Sequence, residues 1–236
     1  LGTSVWCGVF GRHLGLDRSE LEELALGGLM LDVGKVRLPK DFLVRTGTLT
    51  GEEFEQMKAH VDHSLRILAK TQNLSNKVMR MVATHHERWD GSGYPMGLRG
   101  EQTPIFGRIA GLVDAFDAMT TPRPYAAPVS PHQAISELYE NRGVVFQTEL
   151  VEQFIQACGV YPTGSLVELT SGEVAVVIGL NGTRRLRPKI MVLLDKDKQP
   201  CPDFPTLDLS QTSNDIGVAH GLAPGSYGID MDSLFL

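Results

Sequence analysis

The run His85-His86-Glu87-Arg88-Trp89-Asp90-Gly91-Ser92-Gly93-Tyr94-Pro95 sets two adjacent histidines at the end of an apolar-periodic segment (Val78, Met81, Val82) and follows them with a polar, glycine-rich loop. Neutral imidazole is the commonest side-chain metal ligand. A helix end holds such ligands firmly while the loop after it shapes a pocket. A histidine pair by itself reads more simply as a capping or surface pair. Its company changes that reading: Asp32, His60 and Asp114 join His85 and His86 on four different predicted helices or helix ends. Ligands drawn from facing helices suit a site inside a bundle. A mixed imidazole and carboxylate set suits iron, manganese, nickel or zinc without choosing among them.

Those side chains need rigid elements to carry them. Residues 1–16 read as the remainder of a helix (Val5, Val9, Leu14, Leu16), and Leu1 in place of Met reads as the start of a fragment. Asp17 with Glu20 and Thr50 with Glu53 have capping-box spacing. The first opens a helix striped by Leu21, Leu24, Leu29 and Met30, for which Gly34 fits the end and Pro39 bars direct continuation. The second opens a helix over 51–70 whose apolar face is Phe54, Met57, Val61, Leu65 and Leu68. His60 lies in the adjacent row with Met57, Ser64 and Ile67, so it borders the core. Further helices are predicted over 75–86, from Pro104 through Phe116 (carrying Asp114 and Asp117), near 132–141 behind Ser130-Pro131, and over 148–158.

Beyond about residue 160 the period changes. Residues 165–169 and 173–180 read as strands around a Ser171-Gly172 turn, and 189–194 as a third. The tail beyond Pro200, rich in Pro, Asp and Ser, is expected to run extended over the surface. The expected class is mainly α: a helical domain over 1–160 with a small β appendage over 161–236.

Composition limits the partners. With 22 Lys+Arg against 28 Asp+Glu and no basic run longer than Arg184-Arg185, the chain is a poor polynucleotide binder. A small anionic ligand needs only one or two placed cations. No apolar run approaches the ~20 residues of a membrane span. Cys7, Cys158 and Cys201 lack paired spacing and read as reduced thiols, giving a cytoplasmic expectation.

The order Asp32-Val33-Gly34-Lys35, His60, His85 through Pro95, Gly97-Leu98, Pro104, Arg108, Asp114-Ala115-Phe116-Asp117-Ala118 and Arg123-Pro124-Tyr125 resembles the HD-GYP family. That family is a group of HD-type metal-dependent phosphohydrolases that cleave the bacterial second messenger cyclic di-GMP. The resemblance implies an HD-type helical bundle in which Asp32 bridges two metals and His60, His85 and His86 complete the shell of one. It assigns the second metal to Asp114, to the histidine of the family's HD pair and to an upstream histidine. Here Leu31 stands in place of the HD histidine, and the upstream histidine would fall just before Leu1. The expectation is therefore one divalent ion per chain rather than two, with slow or absent hydrolysis.

The same resemblance implies a catalytic setting for Asp32 and Lys35, and substrate contact by Lys35, Asp117 and Arg123. It also points to docking of a cyclic-di-GMP-synthesising GGDEF-domain partner through Gly93, Tyr94 and Pro95. Plainer readings stand beside these: Lys35 favoured by a helix C-terminus, an Asp117–Arg123 ion pair, and Tyr94 in a structural turn packed on the bundle. Ala126 stands where the family usually has a basic residue, and Phe146-Gln147-Thr148 replaces its usual Phe-Asp-Pro. Glu87, Trp89 and Asp90 read as loop scaffolding, and His13, His63, His132 and His220 as surface residues. Two functions follow: a cyclic di-GMP phosphodiesterase yielding pGpG and GMP, or a catalytically degenerate module that binds the nucleotide or docks a cyclase.

Overall fold

A computed structural model describes residues 1–44, 47, 50–123 and 126–230. Its helices are α1 (Gly2–His13), α2 (Arg18–Met30), α3 (Lys40–Val44), α4 (Gly51–Lys58), α5 (His60–Leu68), α6 (Asn76–Thr84), α7 (Ile105–Thr120), α8 (Pro131–Glu140) and α9 (Thr148–Cys158). Strands β1 (Leu166–Leu169), β2 (Val174–Gly179), β3 (Lys189–Leu194), β4 (Thr206–Asp208) and β5 (Val218–Leu222) form one antiparallel sheet in the order β4-β3-β2-β1-β5. The mainly helical class with a small β appendage is the one the sequence predicts.

The residues group into two compact units: Leu1–Ala118 with Arg123–Ala127 and Leu138–Ala157, and Met119–Pro122 with Pro128–Glu137 and the residues from Cys158 onward. The first unit holds the candidate ligands. Its helices begin where local chemistry can satisfy their free N–H groups. Asp17 accepts from the Glu20 amide at 2.9 Å while Glu20 accepts from the Asp17 amide, and Thr50 and Glu53 repeat the exchange at 3.3 and 2.8 Å. Ser75 Oγ accepts from the Val78 amide at 3.2 Å and starts α6.

The single helix expected over 51–70 is two. Ala59, with φ −62° and ψ −15°, is a one-residue joint between α4 and α5. Helix α7 is buried on most of its circumference through Phe106, Ile109, Ala110, Leu112, Val113 and Phe116. Phe116 meets Trp6 and Phe154 edge to face with ring centroids 5.2 Å apart in each pair, and Phe10 meets Phe154 at the same separation.

In the second unit the Ser171-Gly172 turn is present, with Gly172 at φ +99°, a conformation glycine adopts without steric cost. The tail departs from expectation. Rather than running over the surface, it supplies β4, paired with β3, and β5, paired with β1, and buries Leu209 completely. Three histidines expected to be surface residues without partners have them: in the first unit His13 Nε2 lies 3.0 Å from Gln153 Oε1, and the other two are in the second unit. His132 stacks on Tyr161 at 4.8 Å, and His220 Nε2 lies 3.6 Å from Glu168. Among the described residues no helix is long and apolar enough to cross a membrane.

Candidate metal centre

His60 opens α5 and is buried at 1% exposure; His85 ends α6, buried to the same degree, and His86 follows it. Asp32 lies between α2 and the 3-10 turn Val33–Arg37. One ligand atom from each of Asp32, His60, His85 and His86 lies within 4.8 Å of all the others. His60 Nε2 is 3.3 Å and His85 Nε2 4.0 Å from Asp32 Oδ1, and His86 Nε2 is 3.1 Å from His60 Nε2.

The opposite ring nitrogens explain this convergence. His60 Nδ1 lies 2.6 Å from the Met57 carbonyl and His85 Nδ1 2.8 Å from the Val82 carbonyl. A carbonyl can only accept, so each Nδ1 carries the proton and each Nε2 presents its lone pair inward. Burial pulls all three imidazoles below the ordinary histidine value, His85 to about 4, so they are neutral at neutral pH. In His60 the Met57 carbonyl and Asp32 oppose that effect; in His86 the neighbouring His85 and His60 reinforce it.

Burial pushes the Asp32 carboxyl up, but Lys35 first, then His85 and His60, hold it below the usual carboxylate range. Lys35 Nζ donates to Asp32 Oδ2 at 2.6 Å. That leaves Oδ1 buried, and among the described residues neither Asp32 Oδ1 nor His85 Nε2 meets a hydrogen-bond partner. Buried polar atoms are seldom left so. Three imidazole nitrogens and a carboxylate oxygen aimed at one point fit a divalent transition ion.

Several glycines let the ligand-bearing segments approach. A Cβ on Gly34 would lie 2.1 Å from the His60 carbonyl oxygen, one on Gly111 2.5 Å from that of His85, and one on Gly93 2.4 Å from that of His86. Gly34 therefore does not cap a helix, as its sequence context had implied; it sits within the 3-10 turn because nothing larger fits against α5. Ser64 secures the same contact, accepting from the Gly34 amide at 2.8 Å and donating to the Leu31 carbonyl at 3.0 Å. Sequence reasoning set Ser64 only in the row beside His60, and passed over Gly111 and Gly107, where an added Cβ would collide with Thr84 Oγ1. The available signal was the i, i+4 glycine pair inside the apolar run of α7.

Asp114, on α7, stands outside the four-residue cluster. Burial and then repulsion from Asp32 raise its carboxyl to about 6, against the opposing charges of Lys35 and Arg123. Asp117 accepts from Thr3 Oγ1 at 2.9 Å. Arg123 is described, whereas Pro124 and Tyr125 of its motif lie outside the described residues. Tyr94 stacks on His86 with centroids 4.5 Å apart and planes 25° from parallel, and meets Phe54 edge to face. Pro95, after a cis peptide bond, is exposed. Glu87 is buried and accepts from the amides of Met96 at 2.7 Å and Leu98 at 2.9 Å, closing the loop. Leu31, next to Asp32, is 2% exposed.

Comparison with known proteins adds context. The sequence pattern described as "HD domain" matches residues 2–150, and that described as "KOW domain associated with HD domain" matches 166–216. The cyclic di-GMP phosphodiesterase PA4108 of Pseudomonas aeruginosa is 35% identical over 81% of this chain and 46% of its own length. A cyclic di-GMP phosphodiesterase of Thermotoga maritima is 37% identical over 63% of this chain and 41% of its own length. The 3'3'-cGAMP-specific phosphodiesterase 2 of Vibrio cholerae is 36% identical over 65% of this chain and 30% of its own length. The chain thus spans less than half the length of these relatives. The solved structure of Bd1817, an HDG"Y"P protein from Bdellovibrio bacteriovorus, superposes with a TM-score of 0.54 at 18% identity, covering 65% of this chain and 49% of that one, and shares the fold.

Proposed function

Because the chain belongs to the HD domain family, in its HD-GYP group, we propose that the Asp32 cluster serves a cyclic-dinucleotide phosphodiesterase that opens cyclic di-GMP at a 3'-5' phosphodiester bond, giving pGpG and then GMP. The observation that carries this reading is the set of four mutually close ligand atoms, two of them buried without a partner. Asp32, His60, His85 and His86 would hold one divalent ion (iron, manganese, nickel or zinc), which when bound polarises a phosphoryl oxygen and lowers the pKa of water. Lys35 keeps Asp32 ionised and oriented, and with Arg123 supplies positive charge for the substrate phosphates; Asp117 orients the substrate beside them. Asp114 is the remaining ligand of a second position that Leu31 impairs, so one ion per chain rather than two is the expected content. The three free cysteines support a reducing, cytoplasmic setting.

A second reading is favoured by Leu31 itself, an aliphatic side chain buried beside Asp32. In it the chain binds the nucleotide without cleaving it, or docks a GGDEF-domain partner through Gly93, Tyr94 and Pro95. Cleavage of cyclic di-GMP with added manganese or iron(II), measured beside binding of the uncleaved nucleotide, separates the two. Product supports the enzyme, and binding without product supports the module. Leu31→His is expected to raise turnover at least about tenfold, ~1.4 kcal/mol of barrier. An unchanged rate with unchanged metal content would place the limitation elsewhere.

A further inference from the structure

Away from the Asp32 cluster, a small, partly open cavity of about 20 Å³ lies beneath the loop that follows His86, lined in part by Glu87, Arg88, Thr103, Arg108, Phe146 and Gln147. That space admits one particle of about water's size. Among the described residues, two of those lining residues carry a buried polar atom with no hydrogen-bond partner in the protein, Thr103 Oγ1 and Arg108 Nε, and Thr103 is only 2% exposed.

Arg108 is half-buried, and its direct side-chain partners carry no charge. Its Nη1 donates to Gln147 Oε1 at 2.5 Å, and its guanidinium lies 5.6 Å from the Trp89 ring centroid, but both partners are neutral. Glu87, the carboxylate in the wall, already accepts two backbone amides. Arg88 directs its Nη1 to the carbonyls of His85 and Glu87. The carboxylate that acts on Arg108 through space, Glu101, is an exposed residue.

We propose that this cavity is a binding site for a single monovalent anion of the chloride class, held between the Arg108 Nε–H and the Thr103 hydroxyl. A water molecule would complete the hydrogen bonds yet leave the guanidinium facing a neutral amide. Hydrogen bonds to an ionised partner are about twice as strong as neutral ones. The anion would join α7 to the loop and to the segment entering α9. The loop and the segment entering α9 already meet where the Trp89 amide donates to the Val145 carbonyl at 2.9 Å. The site requires no cleavage activity, so its fate is separate from that of the phosphodiesterase reading.

The test is thermal unfolding of the whole chain at constant ionic strength in sodium chloride, bromide or gluconate. Halide is expected to raise the midpoint saturably by about 2–4 °C over gluconate. Gln147→Glu, which supplies the negative charge from the protein, is expected to melt at the halide plateau in gluconate and to lose the increment. Thr103→Val, which removes one donor at little change of shape, should at least halve it. Crystals soaked in bromide should show an anomalous peak between Thr103 Oγ1 and Arg108 Nε. Equal midpoints in halide and gluconate would overturn the proposal. So would an increment that survives intact in both variants, or ordinary water density without anomalous signal.

Discussion

A single added methyl group should act in opposite directions at Gly34 and Gly8. At Gly34 a Cβ would lie 2.1 Å from the His60 carbonyl oxygen and 2.3 Å from the Ser64 nitrogen; at Gly8, inside α1, it would meet nothing within 4 Å. Gly34→Ala is expected to cost about 1–3 kcal/mol by overpacking and to weaken metal retention by displacing His60. Gly8→Ala is expected to stabilise by about 0.5–1 kcal/mol, the helical preference of alanine over glycine. Urea unfolding of the two variants beside bound-metal analysis checks both signs, and a neutral Gly34→Ala would show that α5 yields. The sequence displays which atoms can ligate. It does not display that Gly34 faces Ser64 or that Gly111 faces His85, because close approach belongs to pairs of segments far apart along the chain.

At the level of elements, boundaries were readable where they are made locally. The Asp17–Glu20 and Thr50–Glu53 exchanges need four residues each, and the sequence spells them out. Ala59 gives no such sign, since its joint uses helical dihedral angles and an ordinary residue. The strands β4 and β5 were also illegible, being three and five residues long and held by pairing with distant β3 and β1 rather than by their own periodicity. Helix α6 offers the cleanest experiment at this scale. Its Ser75 cap stands a full helix away from His85, so Ser75→Ala is expected to cost about 1 kcal/mol of stability while leaving the ligand atoms unchanged. Denaturant midpoints should fall at an unaltered metal stoichiometry; loss of metal at full occupancy of the fold would mean that α6 transmits strain to the site.

For the molecule as a whole, the buried ionisable groups set a pH dependence whose sign can be worked out. His60, His85 and His86 are held neutral in the fold, with His85 at about 4, but accept protons near 6.5 once unfolded. Acidification through that window favours the unfolded chain, by up to ~1.4 kcal/mol per pH unit for each such group. Asp114, raised to about 6, works the other way, because the fold binds its proton before the unfolded chain does. Three imidazoles against one carboxyl predict that chelator-treated protein loses stability steadily from pH 6.5 toward 4.5. Thermal melts across that range check this, and a midpoint that rises on acidification would mean Asp114 dominates.

His60 and His85 are each steered by a carbonyl three residues behind them, so the bearing of each lone pair is written into a few consecutive positions. With Leu31 buried beside Asp32, the chain thus still turns the Nε2 atoms of His60 and His85 toward one point, an orientation fixed within four consecutive residues at each.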